Sequence, residues 1–304
     1  MSEKNLSSVW VAFITVCLVW GTTFLGIKIG LAYLPAFMLS GLRHVFAGTI
    51  FTAIFLSRGA KLPNWKNLGR LFVIGMLFVA GGNGLICSSE EYISSGLAAV
   101  MGALTPIYVT ILSVFMLKNT RINGMILFGM AISLTGVLLI SYPDIHDSYD
   151  NRFVIGLLMA VSANISWALG SVTVKRMNLD MNTYLGIGLQ MLMGGFTSIG
   201  ISLAFEKQTG FKPFDTQFVG AFLYLILIGS LIGYFCYFYL LKRMAPARVS
   251  THTYANTVVA VLAGWALANE KVTVLTGFAI LVVLAGVILV NREFGKLQAE
   301  AKAG

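Results

Sequence analysis

The sequence predicts an all-helical integral membrane protein with ten transmembrane helices in two inverted five-helix repeats, and with its N- and C-termini in the cytoplasm. Three observations support this prediction: an apolar composition, ten apolar runs of spanning length, and an uneven distribution of basic residues. Of the 304 residues, 57% are hydrophobic and only 11% are charged, whereas a soluble chain carries about 25% charged residues. Such a chain cannot cover a water-facing surface, so most of it is expected to lie in lipid.

A helix needs about 20 apolar residues to cross the hydrocarbon core of a bilayer. Ten runs of about this length occur, at residues 9–27, 36–56, 68–87, 96–117, 122–140, 153–174, 184–205, 218–241, 250–268 and 272–290. The runs are apolar on all sides, which favours helices over the alternating strands of a membrane barrel. The first run is longer than the core of a signal peptide, so it is predicted to be retained.

The basic residues predict the orientation of these helices. With a cytoplasmic N-terminus, 15 of the 21 Lys and Arg residues fall on the cytoplasmic side and 5 on the other side. The positive-inside rule therefore predicts cytoplasmic termini. Arg43 is the one basic residue well inside a span, since Arg70, near the start of the run 68–87, is counted with the cytoplasmic residues. The net charge of +9 is scattered along the chain rather than gathered in a motif, so no nucleic-acid partner is expected.

The two halves of the chain resemble each other. Offsets of 147 and 150 residues pair Trp20 with Trp167, Lys28 with Lys175, Arg43 with Gln190, and Gly136 with Gly286. Each half has five predicted spans, and because five is odd, the halves must have opposite orientations in the membrane. Inverted repeats are typical of secondary transporters, whose binding site lies near the midplane and is exposed to each side in turn.

The predicted organisation is a cytoplasmic tail (1–8), a first repeat (9–140), a periplasmic connection (141–152), a second repeat (153–290) and a second cytoplasmic tail (291–304). No phosphate-binding Gly-rich loop and no metal-ligand spacing of cysteines occur in the sequence, so neither a cofactor nor a metal is expected. An enzyme is not expected either, because no acid lies deep in a predicted span and no HExxH motif is present.

Three segments resemble the EamA family of the drug/metabolite transporter superfamily: VWGTTFLGIKIG, GNGLICSSEEYISSGLAAVMGALTPIYVTILSVFML and LANEKVTVLTGFAILVVLAGVILV. The resemblance implies ten helices in two inverted repeats, a central cavity, and export of amino acids or other small metabolites across the bacterial cytoplasmic membrane. The family pattern also has an acid after the fourth span and a proline in the ninth. Thr120 and Asn256 stand at those positions, while Pro106 and Glu270 keep the pattern.

Arg43 is the first candidate for binding solute. An arginine within a span is costly unless it faces a partner or a water-filled cavity, and its planar fork can hold a carboxylate through two hydrogen bonds. The alternative is that it reaches the interface or caps a neighbouring helix. Trp20 and Trp167 offer rigid aromatic faces to apolar or cationic groups, although aromatic residues also serve packing alone.

Further polar candidates lie in the third and ninth spans. Asn83 is followed, toward the periplasmic end, by Glu90 and Glu91, which are candidates for proton coupling or for a gate; solvated loop charges are the alternative. His252 and Asn256 share one helix face, and a histidine in a cavity is a natural proton site. Other side chains are expected in the cavity if their helices turn them inward: Tyr108, Gln190, Tyr234 and Tyr237. Lys28 and Lys175 are further candidates for proton coupling or for a gate, where they could attract anions to the two mouths; interfacial anchors are the alternative.

The function predicted from these features is export of an amino acid or similar amphipathic solute by alternating access, driven by protons or by the gradient of the solute itself. The expected partners are this solute, the lipid bilayer and protons, and no oligomer is required. Efflux of drugs or organic cations and lipid flipping are the alternatives, followed by a membrane-embedded enzyme.

Overall fold

The computed structural model describes residues 3–117, 122–146, 151–210, 212–268 and 274–303. All regular structure in these ranges is helical. The helices are α1 (Glu3–Gly30), α2 (Ala36–Ser57), α3 (Trp65–Ser89), α4 (Ser95–Met116), α5 (Gly124–His146), α6 (Asn151–Met177), α7 (Thr183–Phe205), α8 (Thr216–Arg243), α9 (Pro246–Ser250 with His252–Ala268) and α10 (Val274–Ala303).

Eight of these helices are long and apolar enough to cross a membrane, which gives a multi-pass membrane fold. The other two within the described ranges are α5, with a shorter apolar stretch at Gly124–Gly136, and α9. The helices extend beyond several predicted boundaries. α1 begins inside the predicted tail 1–8, α10 continues through most of the predicted tail 291–304, and α5 runs into the predicted connection 141–152. Residues 147–150 of that connection lie outside the described ranges.

Short polar side chains cap the N-termini of four helices. Asn64, Ser94, Asn182 and Asp215 each accept a hydrogen bond from a backbone N–H in the first turn of the helix that follows. These N–H groups have no partner within the helix, so the caps define where α3, α4, α7 and α8 start.

Two helices in each half are interrupted. α3 contains a π-helical segment at Met76–Gly84, and α8 contains one at Leu225–Ile232. α4 is broken between Gly102 and Thr105, and α9 is broken at Thr251. The order of continuous, continuous, π-containing, broken and continuous helices is thus the same in α1–α5 and α6–α10. Short π-helical segments within α-helices often lie at functional sites.

Glycines bring α2 and α7 into backbone contact. A Cβ atom on Gly41 would lie 2.8 Å from the carbonyl oxygen of Gly195, and one on Gly48 would lie 2.8 Å from that of Gly188. α5 and α10 pack similarly, since a Cβ on Gly136 would lie 2.9 Å from the carbonyl oxygen of Ala279. Small residues permit such close helix crossings in membranes.

The connections between helices lie at two opposite ends of the bundle. One end, here named the Tyr33 face, carries residues 31–35, 90–94, 206–210 and 212–215. Contacts across it include Tyr33 Oη donating to Asp215 Oδ2 at 2.7 Å and Lys212 N donating to the carbonyl oxygen of Ala32 at 3.1 Å. The opposite end, the Asn178 face, carries residues 58–64, 178–182 and 244–245.

Candidate functional site

A cavity of about 100 Å³ lies inside the bundle and extends toward the Tyr33 face. We name it the central cavity. Seven helices contribute to it: α1, α2, α3, α4, α6, α8 and α9. Its lining consists of Trp20, Thr23, Phe24, Ile27, Arg43, Gly82, Asn83, Ile86, Ala99, Gly102, Thr105, Ala163, Asn164, Trp167, Gly229, Tyr234, His252, Thr253 and Asn256. The structure therefore brings seven of the ten predicted binding residues together: Trp20, Arg43, Asn83, Trp167, Tyr234, His252 and Asn256.

Arg43 is a buried cation at the wall of the central cavity, with 3% of its surface exposed. Its Nη2 donates to Oδ1 of Asn83. The Asn83 amide nitrogen in turn donates to Tyr234 Oη at 2.8 Å and to the carbonyl oxygen of Phe78 at 2.9 Å. Among the described residues no carboxylate pairs with Arg43, and its Nε has no hydrogen-bond partner. The guanidinium is therefore held in place by a neutral chain, with donors left for a ligand.

Aromatic rings form the wall on the side of the Asn178 face. Trp20 and Trp167 meet edge to face, with ring centroids 5.1 Å apart, and Phe78 lies 4.6 Å from the ring of Trp167. Trp20 Nε1 donates to the carbonyl oxygen of Gly229 at 2.9 Å, within the π-helical segment of α8. We use the name aromatic layer for the group Trp20, Phe78, Trp167, Tyr234, Tyr237 and Phe238.

His252 and Asn256 line the cavity from α9. The Nδ1 atom of His252 lies 2.8 Å from the carbonyl oxygen of Val249, which can only accept, so Nδ1 carries the proton and Nε2 of the neutral ring is an acceptor. The Asn256 amide nitrogen, in the orientation that satisfies its neighbours, donates to the carbonyl oxygens of His252 and Cys17. Both side chains therefore line the cavity and are also held in position by hydrogen bonds to backbone carbonyl oxygens.

Asn164 is a cavity residue that the sequence analysis missed. Its Nδ2 donates to the carbonyl oxygens of Met101 and Ala160 at 3.0 and 2.7 Å, and its Oδ1 accepts from Thr105 Oγ1 at 3.0 Å. Met101 and Thr105 lie on either side of the break in α4, so Asn164 joins the two segments of that helix; the carbonyl oxygen of Met101 also accepts from the backbone N–H of Leu104 at 3.1 Å. A polar amide in the apolar run 153–174 is the signal that identifies it.

Three predicted cavity residues lie elsewhere. Tyr237 is fully buried behind the wall, where its hydroxyl accepts from Trp167 Nε1 at 3.1 Å and lies 2.6 Å from Ser171 Oγ. Tyr108 packs against an apolar cluster that includes Ile126. Gln190 lines a different cavity at the Asn178 face. These helices are apolar all round, so their sequences do not reveal which side faces inward. The pattern positions Thr120 and Glu270 lie outside the described residues.

The predicted gate residues separate into two faces. At the Tyr33 face, Lys28 Nζ donates to the backbone carbonyl oxygen of Glu90 at 2.7 Å. At the Asn178 face, Lys175 Nζ donates in the same manner to the carbonyl oxygen of Leu241 at 3.0 Å. Each lysine ends the first helix of its half and holds the end of the third helix of that half. Each lysine therefore joins two helices of its half at the face where it lies, through a hydrogen bond to a backbone carbonyl oxygen.

Glu90 is not a solvated loop charge. Its residue surface is fully buried, and neither carboxyl oxygen has a hydrogen-bond partner in the described part of the chain. Burial raises the pKa of this carboxyl well above its ordinary value, and the charges of Lys28 and Arg43 oppose that shift. Glu91 is exposed; partial desolvation and the nearby Glu206 raise its pKa as well. A raised pKa favours the protonated, neutral form of a buried carboxyl.

Comparisons with known proteins agree with this architecture. The model of the EamA-like transporter family matches residues 7–142 and again residues 154–292. The uncharacterized inner membrane transporter YedA of Escherichia coli (strain K12) is 32% identical over 294 residues, covering 96% of this chain and 93% of that protein. An uncharacterized transporter of Archaeoglobus fulgidus is 30% identical, covering 93% of this chain and 99% of that protein.

Two more distant matches extend the comparison. A WAT1-related chloroplastic protein of Arabidopsis thaliana is 24% identical and covers 93% of this chain and 69% of that protein. A crystal structure with 20% sequence identity superposes with a TM-score of 0.78 and covers 96% of this chain and 99% of that one, which supports the fold. The resemblance seen in the three sequence segments is confirmed. The chain therefore belongs to the EamA-like transporter family of membrane transporters.

Proposed function

We propose that this protein is a secondary transporter of the bacterial cytoplasmic membrane that exports a small amphipathic metabolite, such as an amino acid, by alternating exposure of the central cavity. The observation that carries the proposal is Arg43, a buried cation that the described residues leave without a carboxylate partner, beside the aromatic faces of Trp20 and Trp167. The relative named as an inner membrane transporter supports the location.

Ten membrane-spanning helices in two inverted repeats are part of this proposal. The family match to each half and the repeated order of helix types support it. The glycine contacts support it further. At an offset of 147 residues, Gly41 corresponds to Gly188 and Gly48 to Gly195, so the contact of Gly41 with Gly195 and that of Gly48 with Gly188 exchange under the repeat. An exchange of this kind is expected of two halves related by a two-fold axis in the membrane plane.

In the proposed orientation the Asn178 face is cytoplasmic and the Tyr33 face is periplasmic. The support is the excess of Lys and Arg in the connections of the Asn178 face, which the positive-inside rule assigns to the cytoplasm. The direction of export is inferred from the family resemblance.

Recognition of the solute would rest on two chemistries. The guanidinium of Arg43 matches a carboxylate, and the tryptophan faces match an apolar or aromatic side chain. Small-molecule sites usually enclose roughly 300–1,000 Å³, whereas the central cavity measures about 100 Å³. In this proposal the central cavity is contracted, and binding of a solute requires the two halves to move apart around it.

Proton coupling is assigned to Glu90 in this proposal. Its buried carboxyl lies at the Tyr33 face and has no hydrogen-bond partner among the described residues, and the charges of Lys28 and Arg43 both oppose the rise of its pKa. Loss of the proton would create a buried anion that attracts both cations, so protonation and the occupancy of Arg43 would be linked through charge.

Ligand binding to purified protein tests the proposal. A thermal-shift screen in detergent against amino acids, other carboxylates and organic cations should raise the melting temperature for at least one carboxylate, since a ligand stabilises the state that binds it. R43Q should weaken that binding about 30-fold or more, because loss of one partner of a buried charge pair leaves the other unpaired. R58Q at the exposed end of α2 is the matched control. Stabilisation by organic cations alone would favour the drug-efflux alternative.

A further inference from the structure

A second cavity opens at the Asn178 face between the ends of α3, α6, α7 and α8. Its volume is about 670 Å³, within the range of roughly 300–1,000 Å³ that is usual for small-molecule sites. The buried side chains Ile74, Ile187 and Phe238 form part of its wall. In this conformation the second cavity has room for a small solute, whereas the central cavity is narrow.

Two lysines border this cavity. Lys175 Nζ donates to the carbonyl oxygen of Leu241 at 3.0 Å, and Lys242 Nζ donates to Thr183 Oγ1 at 3.3 Å. Each bond joins two of the helices that form the cavity, so both ammonium groups are held at its edge, and each keeps further N–H donors. One carboxylate, Asp180, belongs to the same lining. Cations therefore outnumber anions around the cavity.

Gln190 gives an independent sign of a missing partner. It lines the second cavity and is 1% exposed, yet neither atom of its amide has a hydrogen-bond partner within the described ranges. Buried amides are rarely left unpaired, because they lose their hydrogen bonds to water without replacement. Gln190 also corresponds to Arg43 at the offset of 147 residues. Arg43 therefore borders the central cavity, and its equivalent in the second half, Gln190, borders the second cavity.

A single thickness of aromatic side chains separates the two cavities. Phe238 lines the second cavity and stacks on Tyr234, with ring centroids 6.2 Å apart and an interplanar angle of 15°. Tyr234 in turn lines the central cavity. A displacement of these rings would connect the second cavity with the central one.

We propose that the second cavity is a binding site for a small organic anion, in which Lys175 and Lys242 hold a carboxylate and the amide of Gln190 pairs with a polar group of the same molecule. The place of this site in transport rests on the proposed function: a solute from the cytoplasm would bind here before the aromatic layer opens. Its selectivity for anions follows from the lining alone.

The test measures the rate at which charged thiol reagents modify Q190C. The full-length chain, with Cys17, Cys87 and Cys236 replaced by alanine, is reconstituted into phosphatidylcholine nanodiscs, so that no anionic lipid competes. An anionic sulfonatoethyl and a cationic trimethylammonioethyl methanethiosulfonate are compared after normalisation to their rates with free cysteine. T183C, a second position in the lining, reports on the cavity if Q190C does not yield folded protein. S57C, exposed on the same face but outside the cavity lining, measures how far the overall electrostatic potential of that face favours the anionic reagent.

We expect the anionic reagent to react about tenfold faster than the cationic one at Q190C, from the attraction of two nearby cations, and to lose this preference when K175Q and K242Q are introduced. Equal rates, a faster cationic reagent, a preference no larger than at S57C, or no reaction at both cavity positions would overturn the proposal. Labelling requires no transport. An anion preference in a protein without solute flux would therefore contradict the proposed function but would still support an anion site in the second cavity.

Discussion

Trp20 and Trp167, which lie 147 residues apart in equivalent positions, meet edge to face at the centre of the bundle with ring centroids 5.1 Å apart and planes at 90°. Each ring also packs against a glycine of the other half: Trp20 against Gly233 and Trp167 against Gly82. Both glycines lie in or next to a π-helical segment. The two halves therefore meet through these rings, and any relative movement of the halves must move them.

A methyl group on Gly233 should disturb this contact. Its Cβ would overlap Nε1 of Trp20 and would displace the indole from the carbonyl oxygen of Gly229. We expect G233A to lower the free energy of unfolding by about 1–3 kcal/mol through overpacking, and to change the tryptophan fluorescence. G220A, also in α8, has nothing within 4 Å of its Cβ position and serves as the control. Equal thermal stability of the two variants would disprove the contact.

Removal of the Asn164 side chain should destabilise the broken helix α4. N164A leaves the buried hydroxyl of Thr105 without its acceptor, which costs about 1–3 kcal/mol for an unsatisfied buried group, and removes one of the donors to the carbonyl oxygen of Met101, which keeps the bond from Leu104 N. N151A, at the exposed start of α6, the helix that also carries Asn164, should have little effect. Thermal unfolding in detergent measures both, and a tolerant N164A would show that water or another group replaces the amide.

Glu90 should make stability depend on pH. Burial raises the pKa of this carboxyl in the folded state, so its contribution favours folding below the ordinary glutamate pKa of about 4.3 and is lost as the pH rises through the raised value. E90Q, which cannot ionise, should therefore gain stability relative to the wild type as the pH increases from 4 to 8. D180N alters an exposed carboxylate at the other face and is the control. A constant difference between E90Q and wild type over this range would contradict the burial of Glu90.

The bond between Tyr33 and Asp215 should stabilise the Tyr33 face over nearly the whole accessible pH range. Hydrogen bonds from the backbone N–H of Phe218 and from Tyr33 lower the pKa of Asp215, so its stabilisation is present above the ordinary aspartate pKa and is lost only as the pH falls through the lowered value. D215A removes the helix cap and the tyrosine partner together, whereas Y33F removes only the second. Hydrogen exchange of residues 212–220 should therefore accelerate more in D215A than in Y33F, and the reverse order would be inconsistent with the cap.

The spans and much of the central cavity follow from the sequence because lipid imposes simple rules. An apolar run must be about 20 residues long, and a polar or charged side chain within it needs a partner or a cavity; Arg43, Asn83 and His252 were identified on this basis. Tyr237 and Gln190 show the limit of the reasoning. Where a helix is apolar on every side, the sequence does not indicate which face turns toward the cavity.

Other features depend on contacts between distant segments. Glu90 is buried, and Lys28 of α1 donates to its backbone carbonyl oxygen. In the sequence, the short connection that carries Glu90 resembles a solvated loop. The π-helical segment around Asn83 coincides with the GGNG sequence, which predicts a weak point in the helix and not its hydrogen-bonding pattern. The role of Asn164 likewise becomes visible only when α4 is seen to be broken beside it.

Solute flux in proteoliposomes is the measurement that tests the central claim most directly. With the carboxylate that gives the largest thermal shift, the wild-type protein should show saturable, time-dependent flux, R58Q should match it, and R43Q should lose it at solute concentrations that saturate the wild type. Flux that R43Q retains with an unchanged KM would contradict the account, because the solute would then cross the membrane without the cation on which the proposed site depends.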